Sequence, residues 1–439
     1  MRSKKEKYFL FVFNLNNNFF YFCHIYNHPR NLILMSKTSV WQLIRKAFIK
    51  IHLYGGLTSG LIVIAVCLSG TIYVYNTEIR ETFNSEFYFV EETGQRKSAS
   101  ELQSLLESRE ESKVTGVNWN EESDRTVQFS LKKEGEEKPS TFYVNPYTGD
   151  FLGNTGDKTA TTEFMGYMFS LHRWLLLNKI EEPMLESMSN QDIGRLINGV
   201  ATLLFTLGVL TGIVIWFPNK IKNWKQGLSV KWDANWKRVN HDLHNTLAFY
   251  SLIFLFIMGA TGPFWSFTWY REGYQKTFDT YQAPKPEGKS EDESEGEVVP
   301  AGLISLDEVI AKANAELDYR GIVRVSIPDN GSAPIEVSKL QTGFFARAGA
   351  DQLKLSQGNL EVLEANLFSE LPFRQQIGRS VKALHTGEIF GQVTKFIWFL
   401  ACLIATSLPI TGTLIWWNKH KKKELKKRNS SKTQVVKMA

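Results

Sequence analysis

Four hydrophobic segments, each long enough to cross a bilayer, constrain this chain more than any other feature. They run over Leu53–Tyr75, Leu196–Phe217, Leu247–Phe267 and Phe396–Trp417. A transmembrane helix needs about 20 consecutive apolar residues, and a soluble protein rarely carries four such runs. The sequence therefore predicts a membrane α-helical protein with a bundle of four transmembrane helices.

The four segments repeat in two pairs. His52 opens the first segment and His244 opens the third, and a small-residue pair ending in glycine follows each at the same distance. The second and fourth segments share a Thr-Gly…Trp pattern at 211–216 and 411–416. The small-residue pairs are Ser69-Gly70 and Thr261-Gly262, and their offset of 192 residues equals that between His52 and His244. We therefore expect a bundle built from two parallel repeats.

The net charge of +6 is unevenly distributed. Lysine and arginine cluster before the first span, between the second and third, and after the fourth, whereas the long segments after the first and third spans are rich in acids. Because cytoplasmic loops carry the excess of basic residues, both termini and the short loop are predicted to be cytoplasmic. We expect the basic tail to contact anionic lipid rather than nucleic acid.

The expected organisation alternates membrane spans with two outer α+β domains. The first 34 residues form a doubtful leader, because they lack the small-residue cleavage site of a signal peptide. A start at Met35 would give a more ordinary cytoplasmic leader than one at Met1. His24 and His28 are therefore assigned no function. The predicted segments are the doubtful leader (1–34), a cytoplasmic leader with the first span (35–83), the first outer domain (84–160), an interfacial helix with the second span (161–218), a basic loop (219–240), the third span (241–270), an acidic linker (271–300), the second outer domain (301–376), the fourth span (377–418) and the basic tail (419–439).

Each outer domain is predicted to begin with a helix and to continue with strands. The helices are expected at Ser98–Ser108 and Ser305–Leu317, and the second begins with the spacing of a capping box. A low-complexity stretch, Pro284–Glu297, precedes the second domain and is expected to be disordered. An amphipathic segment, Phe164–Leu177, is too short to cross and should lie along the outer interface. Strands are predicted at Lys113–Trp119, Thr126–Leu131, Thr141–Val144, Ile322–Ile327, Ala333–Lys339 and Gln352–Leu355.

Four histidines are the candidates for chemistry. His52 and His244 lie near the cytoplasmic ends of their spans, and His172 and His385 lie on the outer side. A histidine near lipid is costly unless it has a partner. Two pairs on opposite faces fit two haems, each held by two neutral imidazoles, which would carry electrons because no coordination site stays open. A zinc site would require three or four close ligands, and each pair offers two.

The residues around the inner pair have two interpretations each. Gly56 and Gly60 follow His52 on one helical face, and form either a groove for a flat macrocycle or a helix–helix contact. His241 lies one turn before His244 and is the other candidate for the inner ligand, although only His244 aligns with His52. Asp242 would either orient an imidazole or stabilise the start of the helix.

Three basic residues accompany the outer pair. Arg173, Arg195 and Lys395 would either pair with haem propionates or extend their charged ends toward water. His385 precedes the apolar part of its span by roughly 11 residues, or about 16 Å if the helix is continuous. Gly387 and Gly391 are predicted to give a close-approach face near this imidazole.

No nucleotide-binding or hydrolase motif is present: the sequence lacks a phosphate-cradling glycine loop, a Gly-x-Ser-x-Gly elbow and a His-Glu-x-x-His pattern. The cytoplasmic loops are too short for a flavin or nicotinamide domain. An electron donor would therefore be a separate cytoplasmic or membrane partner, either a protein or a diffusible carrier.

Taken together, these motifs resemble the PepSY-associated transmembrane helix family of bacterial inner membranes, over about residues 40–420. The resemblance rests on Ile51–Leu57, Leu171–Leu176, Asp242–Asn245, Leu384–Gly387, the two Thr-Gly…Trp ends and the Tyr143–Gly149 turn, which is similar to the end of a PepSY domain. It implies two periplasmic PepSY-like domains and haem b, one or two per chain, bound by His52, His172, His244 and His385. His241 stands where the family would have an aromatic residue.

The resemblance also implies a function. Some members reduce ferric siderophores, so the chain is expected to pass electrons outward to a ferric chelate at the periplasmic face. The alternative is a non-enzymatic PepSY module that binds or regulates a periplasmic peptidase or another partner protein, with structural histidines. A transporter is disfavoured, because the chain has four spans and no buried acid.

Overall fold

A computed structural model describes residues 40–132, 139–218, 221–283, 304–328, 333–347 and 349–438. Its helices are α1 (Val40–Tyr73), α2 (Asn76–Phe83), α3 (Ser85–Tyr88), α4 (Ala99–Glu110), α5 (Ala160–Trp174), α6 (Asn190–Trp216), α7 (Trp236–Thr261), α8 (Thr268–Thr277), α9 (Leu306–Glu316), α10 (Phe373–Arg379), α11 (Val381–Thr386) and α12 (Gly391–Met438). The predicted leader with His24 and His28, and the stretch Pro284–Glu297, lie outside the described residues.

Four of these helices are long and apolar enough to cross a membrane: α1, α6, α7 with the turn that follows it, and the part of α12 up to Leu425. Each predicted span lies within one of these helices, except for at most two residues at its C-terminal end. Helix α1 packs against α6 and α12, and α7 packs against the same two helices. Consequently, α1 and α7 face each other diagonally across the bundle.

The outer part of the molecule is one antiparallel sheet to which both outer segments contribute. Its strands are β1 (Val114–Asn120), β2 (Val127–Leu131), β3 (Ser140–Val144), β4 (Phe151–Asn154), β5 (Gly321–Ser326), β6 (Ile335–Gln341), β7 (Asp351–Leu355) and β8 (Val362–Asn366), in the order β4-β3-β2-β1-β5-β6-β7-β8. Strands β1 and β5 join the halves, with Asn118 opposite Arg324. The expectation of two separate outer domains is therefore corrected: each segment supplies half of one sheet, because its first strand pairs with that of the other.

Helices α4 and α9 share a single hydrophobic core with both halves of the sheet, including Leu102, Phe129, Val323 and Leu355. The carboxylate of Asp307, in α9, accepts hydrogen bonds from the backbone N–H groups of Ala99 (2.6 Å) and Ser100 (3.1 Å), so it caps α4 of the other segment. Burial raises the pKa of Asp307, but hydrogen bonding with the Ser100 side chain, the two backbone N–H groups and Ser98 outweighs it, and the net pKa is lowered.

Most outer elements lie where they were predicted. Capping boxes start both α4, at Ser98, and α9, at Ser305, and the six predicted strands match β1–β3 and β5–β7 within two residues at each end. The edge strands β4 and β8 were not predicted. They are short, and β8 is largely exposed, so it lacks the apolar alternation that identifies a strand.

The segment before the fourth span differs from the prediction. Helix α11, which carries His385, ends at Thr386, and the chain turns through Gly387 (φ 82°) and Gly391 (φ 66°) before α12 begins. The assumption of continuous helix between His385 and the span is therefore wrong. Both glycines do allow close approach, but of the chain's own residues: a Cβ on Gly387 would lie 2.5 Å from Trp398, and one on Gly391 would meet the carbonyl of Phe344. Both glycines serve the turn.

Candidate functional site

The inner histidines meet in the centre of the bundle. His52 projects from α1 and His244 from α7, the two diagonal helices, and their ring centroids lie 6.3 Å apart with the ring planes at 87°. Because these helices do not pack directly on each other, the imidazoles bridge the space between them.

The Nδ1 atom of each inner imidazole faces a hydrogen-bond acceptor on a neighbouring helix. His52 Nδ1 lies 3.0 Å from the carbonyl oxygen of Gly208 and 3.3 Å from Oγ1 of Thr211. His244 Nδ1 lies 2.9 Å from Oγ1 of Thr411, whose hydroxyl donates to the backbone of its own helix. A hydroxyl whose hydrogen is already used can only accept, so the imidazole proton is assigned to Nδ1.

The outer histidines also form a pair, although neither belongs to a membrane-spanning helix. His172, on α5, and His385, on α11, have ring centroids 6.0 Å apart with the planes at 60°. His172 Nδ1 lies 2.9 Å from the carbonyl oxygen of Val66 in α1. His385 Nδ1 lies 2.9 Å from Oγ1 of Thr261 in α7, which donates to the backbone of α7.

All four imidazoles are therefore assigned the same neutral tautomer. A carbonyl oxygen only accepts, and the threonine hydroxyls are committed as donors, so Nδ1 carries the proton in each neutral ring. Within the described part of the chain, Nε2 of these four rings makes no hydrogen bond. A hydrogen bond from one ring nitrogen commonly fixes the other as a metal ligand, so the arrangement leaves Nε2 with a free lone pair.

A glycine lies against each of the four rings. A Cβ placed on Gly212 or Gly412 would lie 3.4 or 3.3 Å from Cε1 of His52 or His244, respectively. The corresponding distances from Gly70 to His172 and from Gly262 to His385 are 3.0 and 3.6 Å. These are the glycines of the small-residue steps in the sequence. The sequence shows these steps as repeats but does not by itself give them a role, although the equal distance of Gly70 from His52 and of Gly262 from His244 was a signal.

A cavity of about 350 Å³ adjoins the inner pair, within the size range of small-molecule sites. Gly56 borders it, and a Cβ at this position would meet nothing within 4 Å, whereas a Cβ on Gly60 would lie 3.2 Å from Pro409 of α12. Both glycines therefore line the cavity, and Gly60 also makes a helix–helix contact with α12.

His241 lines this cavity together with His52 and His244, whereas Asp242 bonds to Arg238 and to the backbone of Lys231 in the preceding loop. The His241 side chain is 44 % exposed, and its Nδ1 is 3.4 Å from Asp242 Oδ1. Asp242 pairs with Arg238 at 2.8 Å. The orienting partner of His244 is Thr411 rather than Asp242, because the carboxylate points toward the loop that precedes the helix.

The three basic residues near the outer pair have different environments. Lys395 is 3 % exposed and pairs with Glu78 at 2.7 Å and with Glu388 at 3.3 Å, so it is not extended toward water. Burial raises the pKa of Glu78, but the hydrogen bond from Lys395 leads the effects that lower it overall. Arg195 pairs with Asp192 at 2.7 Å. The Arg173 guanidinium lies 5.8 Å from the ring centroids of both Phe169 and Trp174.

The chemistry available here is that of paired imidazoles. Among the described residues, no group of three or more His, Cys, Asp or Glu side chains is placed to hold a metal ion, so a four-ligand zinc centre of protein side chains has no support there. Each pair instead offers two Nε2 lone pairs from opposite elements of the bundle.

Comparison with known proteins agrees with this architecture. No curated protein matches the sequence. Residues 49–419 match the family described as the PepSY-associated TM region, and this match covers most of the chain, including the four helices and both histidine pairs. The chain therefore belongs to the PepSY-associated TM region family and is a multi-pass membrane protein.

Proposed function

We propose that this protein binds haem b at both histidine pairs and passes electrons across a bacterial inner membrane to a ferric chelate on the periplasmic side. The observation that carries the proposal is the common hydrogen-bonding pattern of four imidazoles, those of His52, His172, His244 and His385. Each ring is anchored through Nδ1 and leaves Nε2 available, and the four rings meet in two pairs.

The spacing of the rings fits one metal ion between each pair. A metal–imidazole bond is about 2.1 Å, so two rings that would hold one ion between them must lie within roughly 6–7 Å of each other, centre to centre. The observed separations are 6.3 and 6.0 Å. Two protein ligands suffice if a macrocycle supplies the other four, which accounts for the absence of further ligating side chains among the described residues.

The surroundings of the inner pair also suit a flat apolar ligand. The adjoining cavity lies inside the bundle and is bordered by Gly56, Val63, Leu252 and Leu255. When bound, haem supplies a one-electron couple, and a site with two imidazole ligands favours electron transfer over oxygen binding. The protein's own contribution is to fix both rings through α6 and α12 and to exclude water with packed apolar side chains.

The direction of transfer follows from the proposed topology. With both termini cytoplasmic, His52 and His244 lie toward the cytoplasm, and His172 and His385 lie toward the periplasm, beneath the sheet. A cytoplasmic or membrane-bound donor would reduce the inner site, and the outer site would reduce the ferric chelate. Ferrous iron is held less tightly by hard oxygen ligands, so reduction would release it.

The ligand assignment is tested by pyridine haemochrome stoichiometry on purified protein. We expect about two haems per chain in the wild type, and His52→Ala and His385→Ala should each lose a different one. His420→Ala is the matched control, because this histidine of α12 is exposed and pairs with Glu424. Full haem content in both His52→Ala and His385→Ala, or a colourless wild type made with adequate haem, would overturn the proposal.

The reductase step needs its own test. Protein in vesicles with a reductant enclosed on the cytoplasmic side should reduce an external ferric chelate, followed with a ferrous-specific dye. Both single histidine variants should lose this activity, since each interrupts the same path. Activity that survives in either variant would contradict transfer through both pairs.

One observation favours a second function, that of a partner-binding module. The face of the sheet opposite α4 and α9 carries a groove of about 600 Å³, lined by polar residues such as Asn118, Arg324, Ser338 and Gln352. This groove contains none of the four histidines, and it could hold a partner protein whether or not haem binds. A haem-free native protein that retains a periplasmic partner would support this function instead.

A further inference from the structure

Resting on the proposed function, we propose that the outer haem presents its two carboxylates to Arg173 and Arg195, on the α5–α6 side of the bundle, and not to Lys395. The inference arises from an asymmetry in charge between the two otherwise similar halves of the molecule.

Lys395 and Arg195 occupy equivalent places in the sequence. The 200-residue offset that aligns Thr211 with Thr411 also aligns Arg195 with Lys395. Lys395 Nζ is nevertheless enclosed by acids, with Glu78 oxygens at 2.7 and 2.9 Å and a Glu388 oxygen at 3.3 Å. Two carboxylates already surround this cation, so a further carboxylate there would add repulsion rather than satisfy a charge.

The residue of the other half that is equivalent to Glu78 is not an acid. The 192-residue offset that aligns His52 with His244 places Tyr270 where the other half has Glu78, and the Tyr270 hydroxyl donates to the carbonyl of Ala260. Arg195 pairs with Asp192 through Nη1, while its Nε is buried without a hydrogen-bond partner in the described chain.

Arg173 adds a second positive charge at this side. No carboxylate of the described residues pairs with it, and it lies close enough for its charge to act on Arg195 as well as on His172 and His385. Arg173 and Arg195 together face one carboxylate, that of Asp192, which leaves an excess positive charge on this side of the bundle.

An additional buried donor lies in the same place. Nε1 of Trp174, the residue after Arg173, is buried without an acceptor in the described chain, as is Nε of Arg195. Buried donors are normally hydrogen-bonded, so these two N–H groups are available to an acceptor. The two carboxylates of haem b would supply both the acceptors and the negative charge, and arginine is the side chain best suited to bind them.

The experiment compares haem b with its dimethyl ester, which lacks the two charges. Apoprotein carrying His52→Ala, so that the outer pair is the intact site, is titrated with each ligand and followed by absorbance. We expect the ester to bind about tenfold more weakly, near the low end of what a charged hydrogen bond contributes. With Arg173→Gln and Arg195→Gln added, the ratio of the two affinities should fall to about one.

The matched control removes the other cation without changing net charge. The double variant Glu78→Gln/Lys395→Gln should retain the full ratio of the affinities for haem b and for its ester. Should the double arginine variant not fold, Arg195→Gln alone is expected to lower the ratio, since each guanidinium acts on the same carboxylates.

Three results would overturn the inference, and they are distinguishable. A ratio unchanged by the arginine substitutions, or one lost in the Glu78/Lys395 variant, refutes this orientation while leaving the haem proposal intact. Failure of the wild type to bind haem b at all refutes the proposed function, and the orientation with it.

Discussion

Gly70 offers a direct test of how closely the helices hold the outer histidine pair. An alanine Cβ at this position of α1 would lie 3.0 Å from Cε1 and 3.1 Å from Nδ1 of His172. Non-bonded carbon atoms prefer about 3.5–4.0 Å, so the ring of His172 must move by about 0.5–1 Å to accept the methyl group.

The magnitude follows from the hydrogen bond that anchors this ring. His172 Nδ1 lies 2.9 Å from the carbonyl oxygen of Val66, and a shift of this size takes the contact beyond normal hydrogen-bond length. Loss of one such bond costs about 0.5–1.5 kcal/mol. We therefore expect Gly70→Ala to weaken haem binding at the outer pair by about 2- to 13-fold.

The assay is a haem titration of apoprotein carrying His52→Ala, with Gly55→Ala as the control on the same helix. A Cβ on Gly55 would meet nothing within 4 Å, so this variant should bind as the parent does. Alanine is also the better helix former, by about 1 kcal/mol, so lost affinity would not reflect a weaker helix. Unchanged affinity in Gly70→Ala, or an equal loss in Gly55→Ala, would refute the reasoning.

Three further predictions concern single side chains. Thr411→Val removes the acceptor of the His244 Nδ1 proton, and should weaken haem binding at the inner pair by about 1 kcal/mol, or about fivefold, in a titration of His385→Ala protein; unchanged binding would contradict the assigned tautomer. Lys395→Gln leaves Glu78 without its cation, and should lower the free energy of unfolding in detergent by about 1–3 kcal/mol, part of which Glu78→Gln should restore; a neutral effect would contradict the buried ion pair. The pKa of Asp307 is lowered from 3.8, so its stabilisation is present above about pH 4 and is lost as the pH falls through the lower folded-state pKa. Asp307→Asn should therefore narrow the difference in stability between pH 5 and pH 3 in chemical unfolding, and an unchanged difference would contradict this role.

The spans and the histidines could be predicted because both depend on local sequence. Twenty apolar residues identify a membrane helix wherever they occur, and the constant offset between His52 and His244 indicated equivalent positions. The starts of α4 and α9 were predictable for the same reason, since Ser98 and Ser305 cap helices through residues three positions away.

The remaining features depend on contacts between residues far apart in sequence. The pairing of β1 with β5 joins segments about 200 residues apart, and no local pattern marks one strand as the partner of another. The ion pair between Lys395 and Glu78 likewise joins α12 to the helix after the first span. The sequence indicated close approach at Gly387, but neither its contact with Trp398 nor its positive φ in a turn.

The same 18-residue spacing explains why there are two pairs and where they lie. Helix α1 carries His52 and, 18 residues later, Gly70 against His172. Helix α7 repeats this with His244 and Gly262 against His385. At 1.5 Å per residue the two contacts are about 27 Å apart along each helix, close to the roughly 30 Å of a bilayer's hydrocarbon core.

Each diagonal helix therefore holds a ligand of one pair and the supporting glycine of the other. Between the two levels the bundle is closed by apolar side chains, including Leu255, Ala401 and Ala405. A tilt or a shift of α1 or α7 would then disturb both pairs together, since neither helix serves only one. The short helices α5 and α11 bring the outer histidines to the level of Gly70 and Gly262.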